Sequence, residues 1–285
     1  MGKIPVQYHF NDRAGYIQFD TETNKLEVKS DGEFIEINSA GGIPPGTDTI
    51  LTVGSTGDYA TIEDAIDYLQ SSNIVTPINK SVTIEILDGI TSQVEISNAD
   101  LSYLKITGSF MTNLDDVASP QTFSYNKNGI TQTITPVFIL KNVKGLNLDI
   151  DSINDGFNDS SVVYAENSDF SLNIAEGGEV GIYLKNSKLN SLTSISAVFY
   201  AIIAENSIVN VSDANIRSSF GIVADSSQVY AANADAAEAD NPHSSSIHYR
   251  IFNGGIVYMD SNTFGLGSET KNTISANGII FDPRT

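Results

Sequence analysis

The chain has no cysteine among its 285 residues, so neither disulfides nor thiol chemistry enters its design. Basic residues are scarce. Fifteen Lys and Arg stand against 35 Asp and Glu, a formal net charge of −20, and a surface of that sign repels phosphate backbones and excludes nucleic-acid binding. Anionic glycans are repelled too, and screening over roughly 8 to 10 Å softens this only for distant groups. Excess acid in a stable chain serves solubility. No segment approaches the roughly 18 apolar residues of a membrane helix, and membrane insertion is not expected. Met1–Phe10 holds no apolar core of signal-peptide length, so the expectation is a chain made in a cytoplasm without an export signal. No cofactor is expected.

What is present is a repeat. A small polar pair recurs at Asn167-Ser168, Asn186-Ser187, Asn206-Ser207 and Ser226-Ser227, at spacings of 19, 20 and 20 residues. Units this short cannot each bury a core and must stack on one another as a solenoid. Aligned by the pair, the columns are chemically uniform. Val163, Ile182, Ile202 and Ile222 lie five residues before the Ser, Ala165, Leu184, Ala204 and Ala224 three before it, and Phe170, Leu189, Val209 and Val229 two after it. The units are rich in Ile, Val, Tyr and Ser with period two and lack helical periodicity. They also lack the Leu-x-x-Leu-x-Leu frame of leucine-rich repeats. About 20 residues suit one coil of a parallel β-helix, with coils roughly 4.8 Å apart. Asn tolerates the left-handed conformation of a tight corner, and stacked amides can bond along the axis. A fifth copy, Ile251–Met259, follows after 28 residues, with the excess in Ala231–Asp240 and Asn241-Pro242. In that alignment Arg250 falls in the inward column of Ile222, where an unpaired charge costs several kcal/mol; a slip that brings Ile251 inward resolves it.

Tyr59–Gln70 is the one convincing helix, with Ile62, Ala65, Ile66 and Leu69 at helical spacing and Thr61 as cap. Laid over the first coil, it covers an exposed apolar end. Strands are expected at Val82–Leu87, Tyr103–Thr107 and Val137–Leu140, while Asn113–Thr133, with Pro120, Asn126, Asn128 and Gly129, reads as a long lateral loop. Near the N-terminus, Tyr16–Phe19, Lys25–Lys29 and Glu33–Ile37 form a three-strand meander with a turn at Asp31-Gly32. Such a piece rarely holds together alone. The expected organisation is a meander over 1–40 for docking or trimerisation, a Gly/Pro linker over 41–50, and a β-helix over 51–285 with its helix at 59–70.

The run Gly15–Glu27 followed by Asp31-Gly32-Glu33-Phe34 resembles the short β-meander of bacteriophage tail and fibre proteins, although the Trp that this pattern carries near Phe34 has no counterpart here. Thr52–Ile66 is similar to the lead-in of the pectate-lyase-like β-helix domains of phage tailspikes. Together they cover about the first 90 residues. The resemblance implies an all-β, right-handed parallel β-helix with an N-terminal β-meander and one capping α-helix. It further implies a homotrimeric virion tail protein, docked to other phage tail proteins through its N-terminal domain and attaching to a host cell-surface glycan or receptor.

Carboxylate pairs on one lateral face would carry glycan cleavage, at separations of roughly 5 to 9.5 Å. Glu176 with Glu179, or Glu166 with Glu205, are the candidates, but Glu166, Glu205 and Asp225 sit at the corner pairs and read as solvated. No catalytic residue is assigned. The insertion gathers Asp235, Glu238, Asp240, His243, His248 and Tyr249, and a loop projecting from a rigid stack is the expected place for glycan or receptor contact. The His spacing matches no metal motif, and Asp149, Asp151 and Asp155-Gly156 depart from a calcium loop at Ile153, so no metal is expected. The resulting expectation is a non-enzymatic phage tail spike or fibre subunit. A polysaccharide hydrolase or lyase and a bacterial surface adhesin stand as alternatives.

Overall fold

In the computed structural model, the residues described are 4–10, 13–20, 25–30, 33–36, 49–71, 82–88, 92–111, 119–127, 130–155, 160–197, 199–218, 221–236, 249–258, 273–274 and 277–281. They divide into two compact units, one of residues 1–49 with 66–81 and one of 50–65 with 82–285. The first holds an antiparallel sheet ordered β1 (Ile4–Phe10), β2 (Arg13–Asp20), β3 (Lys25–Ser30), β4 (Glu33–Glu36). The expected meander therefore has a fourth strand. Residues 4–10 alternate Ile, Val, Tyr and Phe with polar residues around Pro5, and proline is tolerated there because β1 is an edge strand. The Gly/Pro stretch 41–48 lies outside the described residues, and Thr49 and Ile50 already open β5 (Thr49–Val53).

Next comes α1 (Ile62–Ser71), three residues later than the expected start. Thr61 explains this: its Oγ1 accepts the Asp64 N–H at 3.1 Å, the bond of an N-cap. The face of Ile62, Ala65, Ile66 and Leu69 is buried. The solenoid strands follow: β6 (Val82–Ile86), β7 (Val94–Asp100), β8 (Leu104–Met111), β9 (Phe123–Lys127), β10 (Ile130–Lys144), β11 (Leu146–Asp155), β12 (Ser160–Glu166) and β13 (Asp169–Gly177). Then come β14 (Val180–Lys185), β15 (Lys188–Ser196), β16 (Tyr200–Glu205), β17 (Ile208–Asn210), β18 (Asn215–Arg217) and β19 (Ile222–Asp225). The last coils supply β20 (Gln228–Tyr230), β21 (Asp235–Ala236), β22 (Tyr249–Phe252), β23 (Ile256–Tyr258), β24 (Thr273–Ile274) and β25 (Ile279–Phe281). Glu63 of α1 ties the helix to the end of the stack, its carboxylate accepting the Glu95 N–H of β7 at 3.1 Å.

One sheet runs β7-β10-β12-β14-β16-β19-β22-β24, the other β5-β6-β8-β11-β13-β15-β17-β20-β23-β25. From β10 to β17 chain-adjacent strands alternate between the two sheets, β18 and β21 join the second sheet directly after β17 and β20, and the coil strands pair in parallel with their counterparts one coil on. That is a parallel β-helix. Ile182 pairs with Ile202 and Ile202 with Ile222, Leu184 with Ala204, Leu189 with Val209, so the sequence columns are vertical files, and all of these side chains are buried. Each large one contributes about 1.5–3 kcal/mol by leaving water.

Two devices close each coil. Asn98, Asn142, Asn167, Asn186, Asn206, Ser226 and Asn253 all have φ between 48° and 56°, the left-handed corner expected of the Asn column. Beneath them runs a file of buried serines. The N–H of Ser168 donates to Ser187 Oγ at 3.1 Å, Ser187 N–H to Ser207 Oγ at 3.0 Å and Ser207 N–H to Ser227 Oγ at 2.9 Å. Each hydroxyl in turn donates to the carbonyl two residues before it, at 2.7 to 2.9 Å. The four hydroxyls and the N–H groups of Ser168, Ser187 and Ser207 are thereby satisfied away from water, as buried polar groups require.

The last repeat is offset in two steps. Tyr249 pairs with Ile222 and Ile251 with Ala224, a shift of 27, whereas Val257 pairs with Val229, a shift of 28. The added residue is at the corner, where Gly254 takes φ 80°. Arg250 thus leaves the inward column and Ile251, fully buried, takes an inward place. The lateral loop expected over Asn113–Thr133 is corrected in part: β9 and the first third of β10 form an antiparallel hairpin within it.

Candidate functional site

Outward-facing side chains carry any surface chemistry of a solenoid, and here the two sheets present different outer faces. On the first, Ile139, Tyr164, Tyr183, Ile203 and Val223 form one file. The β9–β10 hairpin lies over it. Phe123 stacks on Tyr164 with ring centroids 3.6 Å apart, Tyr164 meets Tyr183 edge-on at 5.4 Å, and Tyr125 meets Tyr200 edge-on at 6.3 Å. Burial, reinforced by Glu166 and Glu205, pushes the Tyr164 phenol up, and burial with Glu205 does the same to Tyr183. At the hairpin's base Lys141 bonds Glu95 at 2.8 Å and Gln121 at 3.1 Å, and the Lys141 bond holds the Glu95 carboxyl below its usual range.

Three of the four carboxylates considered for catalysis are engaged on this side, while Glu176 lies on β13 of the other sheet, paired with Asn154 and Ser196. Glu166 and Glu205 belong to the file Lys141, Glu166, Lys185, Glu205, Asp225. Glu166 is 3.4 Å from Lys185 and accepts the Tyr164 hydroxyl at 3.3 Å, while Glu205 accepts the Tyr183 hydroxyl at 2.8 Å. Glu179 is only 5% exposed. It accepts the Tyr125 hydroxyl at 2.9 Å beneath the hairpin. Beside it, Arg250 donates to the Tyr200 hydroxyl at 3.3 Å, and Tyr200 is pushed up by burial, opposed by the Arg250 guanidinium and reinforced by Glu179. This fastening of the hairpin was missed in the sequence, where Tyr125 sits in a polar stretch with no periodic partner.

The second sheet differs. From Lys188 onward its outward files read Lys188, Ile208, Gln228, Ile256, Ile279 and Asn210, Tyr230, Tyr258, Phe281. Neither contains a carboxylate. Tyr230, Tyr258 and Phe281 stack at 4.9 and 5.2 Å, nearly parallel. No described segment covers them: Ile208 and Tyr230 are 40% exposed, Ile279 45% and Phe281 52%.

Along the corner beside this face runs an open trough of about 540 Å³ crossing four coils. Its floor is Val143, Ser168 and Ser187; one wall is Asn142, Asn167, Asn186 and Asn206, the other Lys144, Asp169, Lys188 and Ile208. A second cleft, of about 280 Å³, lies where the first turn of α1 meets β6 and β7. There Asp88 accepts the N–H and hydroxyl of Ser55 at 2.6 and 2.7 Å, which holds its carboxyl low.

Of the residues expected to make contact, Asp235 lies on β21 paired with Asn215, and Tyr249 on β22 paired with Ile222, in different sheets. Glu238, Asp240, His243 and His248 lie outside the described residues. Among the described residues no group of three or more His, Cys, Asp or Glu could hold a metal ion, and no helix is long and apolar enough to cross a membrane.

What fold and faces define together is a parallel β-helix with one outer face sealed by its own hairpin and one that no described segment covers. Two solved structures of pectin methylesterase from Aspergillus niger share 14% sequence identity with the chain at a TM-score of 0.49. The penultimately deglycosylated form is matched over 83% of this chain and 86% of that one, the deglycosylated form over 82% and 90%. No protein-family model and no curated protein matches.

Proposed function

We propose that the chain is a non-enzymatic attachment subunit of a bacteriophage tail spike or fibre, assembled as a homotrimer of solenoids side by side. The observation that carries this is the outer face of the second sheet, which no described segment covers. A chain of net charge −20 repels its own copies over most of its surface, yet seven outward positions from Asn210 to Phe281 hold no acid and expose Tyr230, Ile279 and Phe281. Contiguous apolar surface of this kind marks a contact with another macromolecule. Because the rings stack face to face, they offer edges outward, which suits packing against a similar flat face better than holding a sugar ring. The absence of enzymatic action is supported by Glu166, Glu179 and Glu205, each committed to a tyrosine hydroxyl. Attachment to tail and host follows from the resemblance of Gly15–Phe34 and Thr52–Ile66 to phage proteins.

Light scattering on the full chain tests the assembly, with a mass of three times 30.6 kDa expected; a monomer overturns it. Incubation with bacterial capsular polysaccharides is expected to leave their viscosity unchanged. A fall in viscosity makes the chain a depolymerase instead.

A further inference from the structure

We infer that the corner trough is the seat of a neutral, hydroxyl-rich polymer, a linear glycan lying parallel to the solenoid axis. The inference rests on the attachment reading and adds its binding site.

The backbone of each corner is already satisfied by the serine file, whose N–H and hydroxyl groups bond one another and the strand-end carbonyls. The left-handed φ of 51°, 49° and 48° at Asn167, Asn186 and Asn206 could be supplied by glycine with less strain. The asparagine amides are therefore not needed to close the coils. Asn142 bonds Asn98 at 2.9 Å and Asn253 bonds Asp225 at 2.7 Å, but the amides of Asn167, Asn186 and Asn206 are exposed and make no side-chain hydrogen bond among the described residues. They form a row of paired donors and acceptors repeating at the coil spacing, about 4.8 Å.

The opposite wall determines which polymer fits. Lys144 is paired with Asp100 at 3.1 Å and Lys188 stands beside Asp169, so the wall carries no uncompensated positive charge to attract a polyanion and ends on the aliphatic Ile208, and the surrounding charge of −20 repels one. A glycan without charge meets amides with its hydroxyls and Ile208 with its C–H surface, and a straight trough four coils long requires an extended chain rather than a single sugar.

Affinity electrophoresis of the full chain through gels containing dextran, hydroxyethyl cellulose or galactomannan tests this, with polygalacturonate as the anionic counterpart. The expected result is retardation by at least one neutral polymer and none by polygalacturonate. The triple variant N167G/N186G/N206G, which keeps the corner conformation, is expected to weaken that binding at least about tenfold, several hydrogen bonds being lost, with Tm and assembled mass unchanged. Failure of all three neutral polymers to retard the wild type overturns the inference. Retardation equal in wild type and triple variant also overturns the trough, while leaving attachment elsewhere on the shaft intact. A monomeric mass combined with retardation that the triple variant loses supports the trough and sinks the trimer.

Discussion

Tyr183 and Tyr258 occupy equivalent outward places on two sheets of one solenoid, and their fates differ. Tyr183 is buried in the cluster beneath the hairpin, its hydroxyl on Glu205; Tyr258 stands between Tyr230 and Phe281 with no described segment above it. Among the described residues, the chain supplies a cover of its own where the outward file is followed by carboxylates and lysines, and none where the outward files hold no acid. A solenoid can bury its bore by repetition alone, but each outer face must be settled separately, by a lateral insertion or by another chain.

The comparison breaks most completely at Tyr258. Replacing it with Glu places a charge in the middle of the proposed interface, so Y258E is expected to convert the trimer to monomer by light scattering while Tm of the isolated subunit changes little. A change in Tm without dissociation would make this face part of the subunit's own stability. On the sealed face the expected effect is on folding. F123A removes the ring stacked on Tyr164 and is expected to cost about 2–3 kcal/mol in urea unfolding, below the range for fully buried Phe because Phe123 is half-buried. An unchanged urea midpoint would show the hairpin to be dispensable.

The smallest effects come with pH. Glu95 has its folded pKa lowered through Lys141, so its contribution is present above the ordinary carboxylate value and lost as pH falls through the lowered one; E95Q is expected to flatten that acid limb. Tyr164, Tyr183 and Tyr200 have theirs raised, so their contribution is complete below the ordinary phenol value and lost as pH rises beyond it. Thermal melts across pH check both limbs, and a sealed face insensitive to alkali would argue against phenol burial there.

Much of the architecture was legible. The files Ile182-Ile202-Ile222 and Leu189-Val209-Val229 follow from a period that the chain spells out, and the misfit of Arg250 pointed to a slip that the structure places partly at Gly254. The serine file was visible as a repeat, though its hydrogen bonds were not. The hairpin was hidden because Phe123 and Tyr125 lie among polar and turn-forming residues, and β1 was overlooked beside Pro5. As for the expected contact loop, Asp235 and Tyr249 fall on separate sheets and its remaining residues are outside the described structure.

By itself the sequence determined the coil: a period near 20 places like side chains above one another, and Asn, or Ser226 at one corner, takes the left-handed turn. Only the tertiary structure decided which outer face is sealed. Period-two alternation makes Tyr164 and Tyr230 look alike, and the contact between Phe123 and Tyr164 joins residues 41 apart, a pairing set by where the insertion folds back rather than by any local preference of the chain.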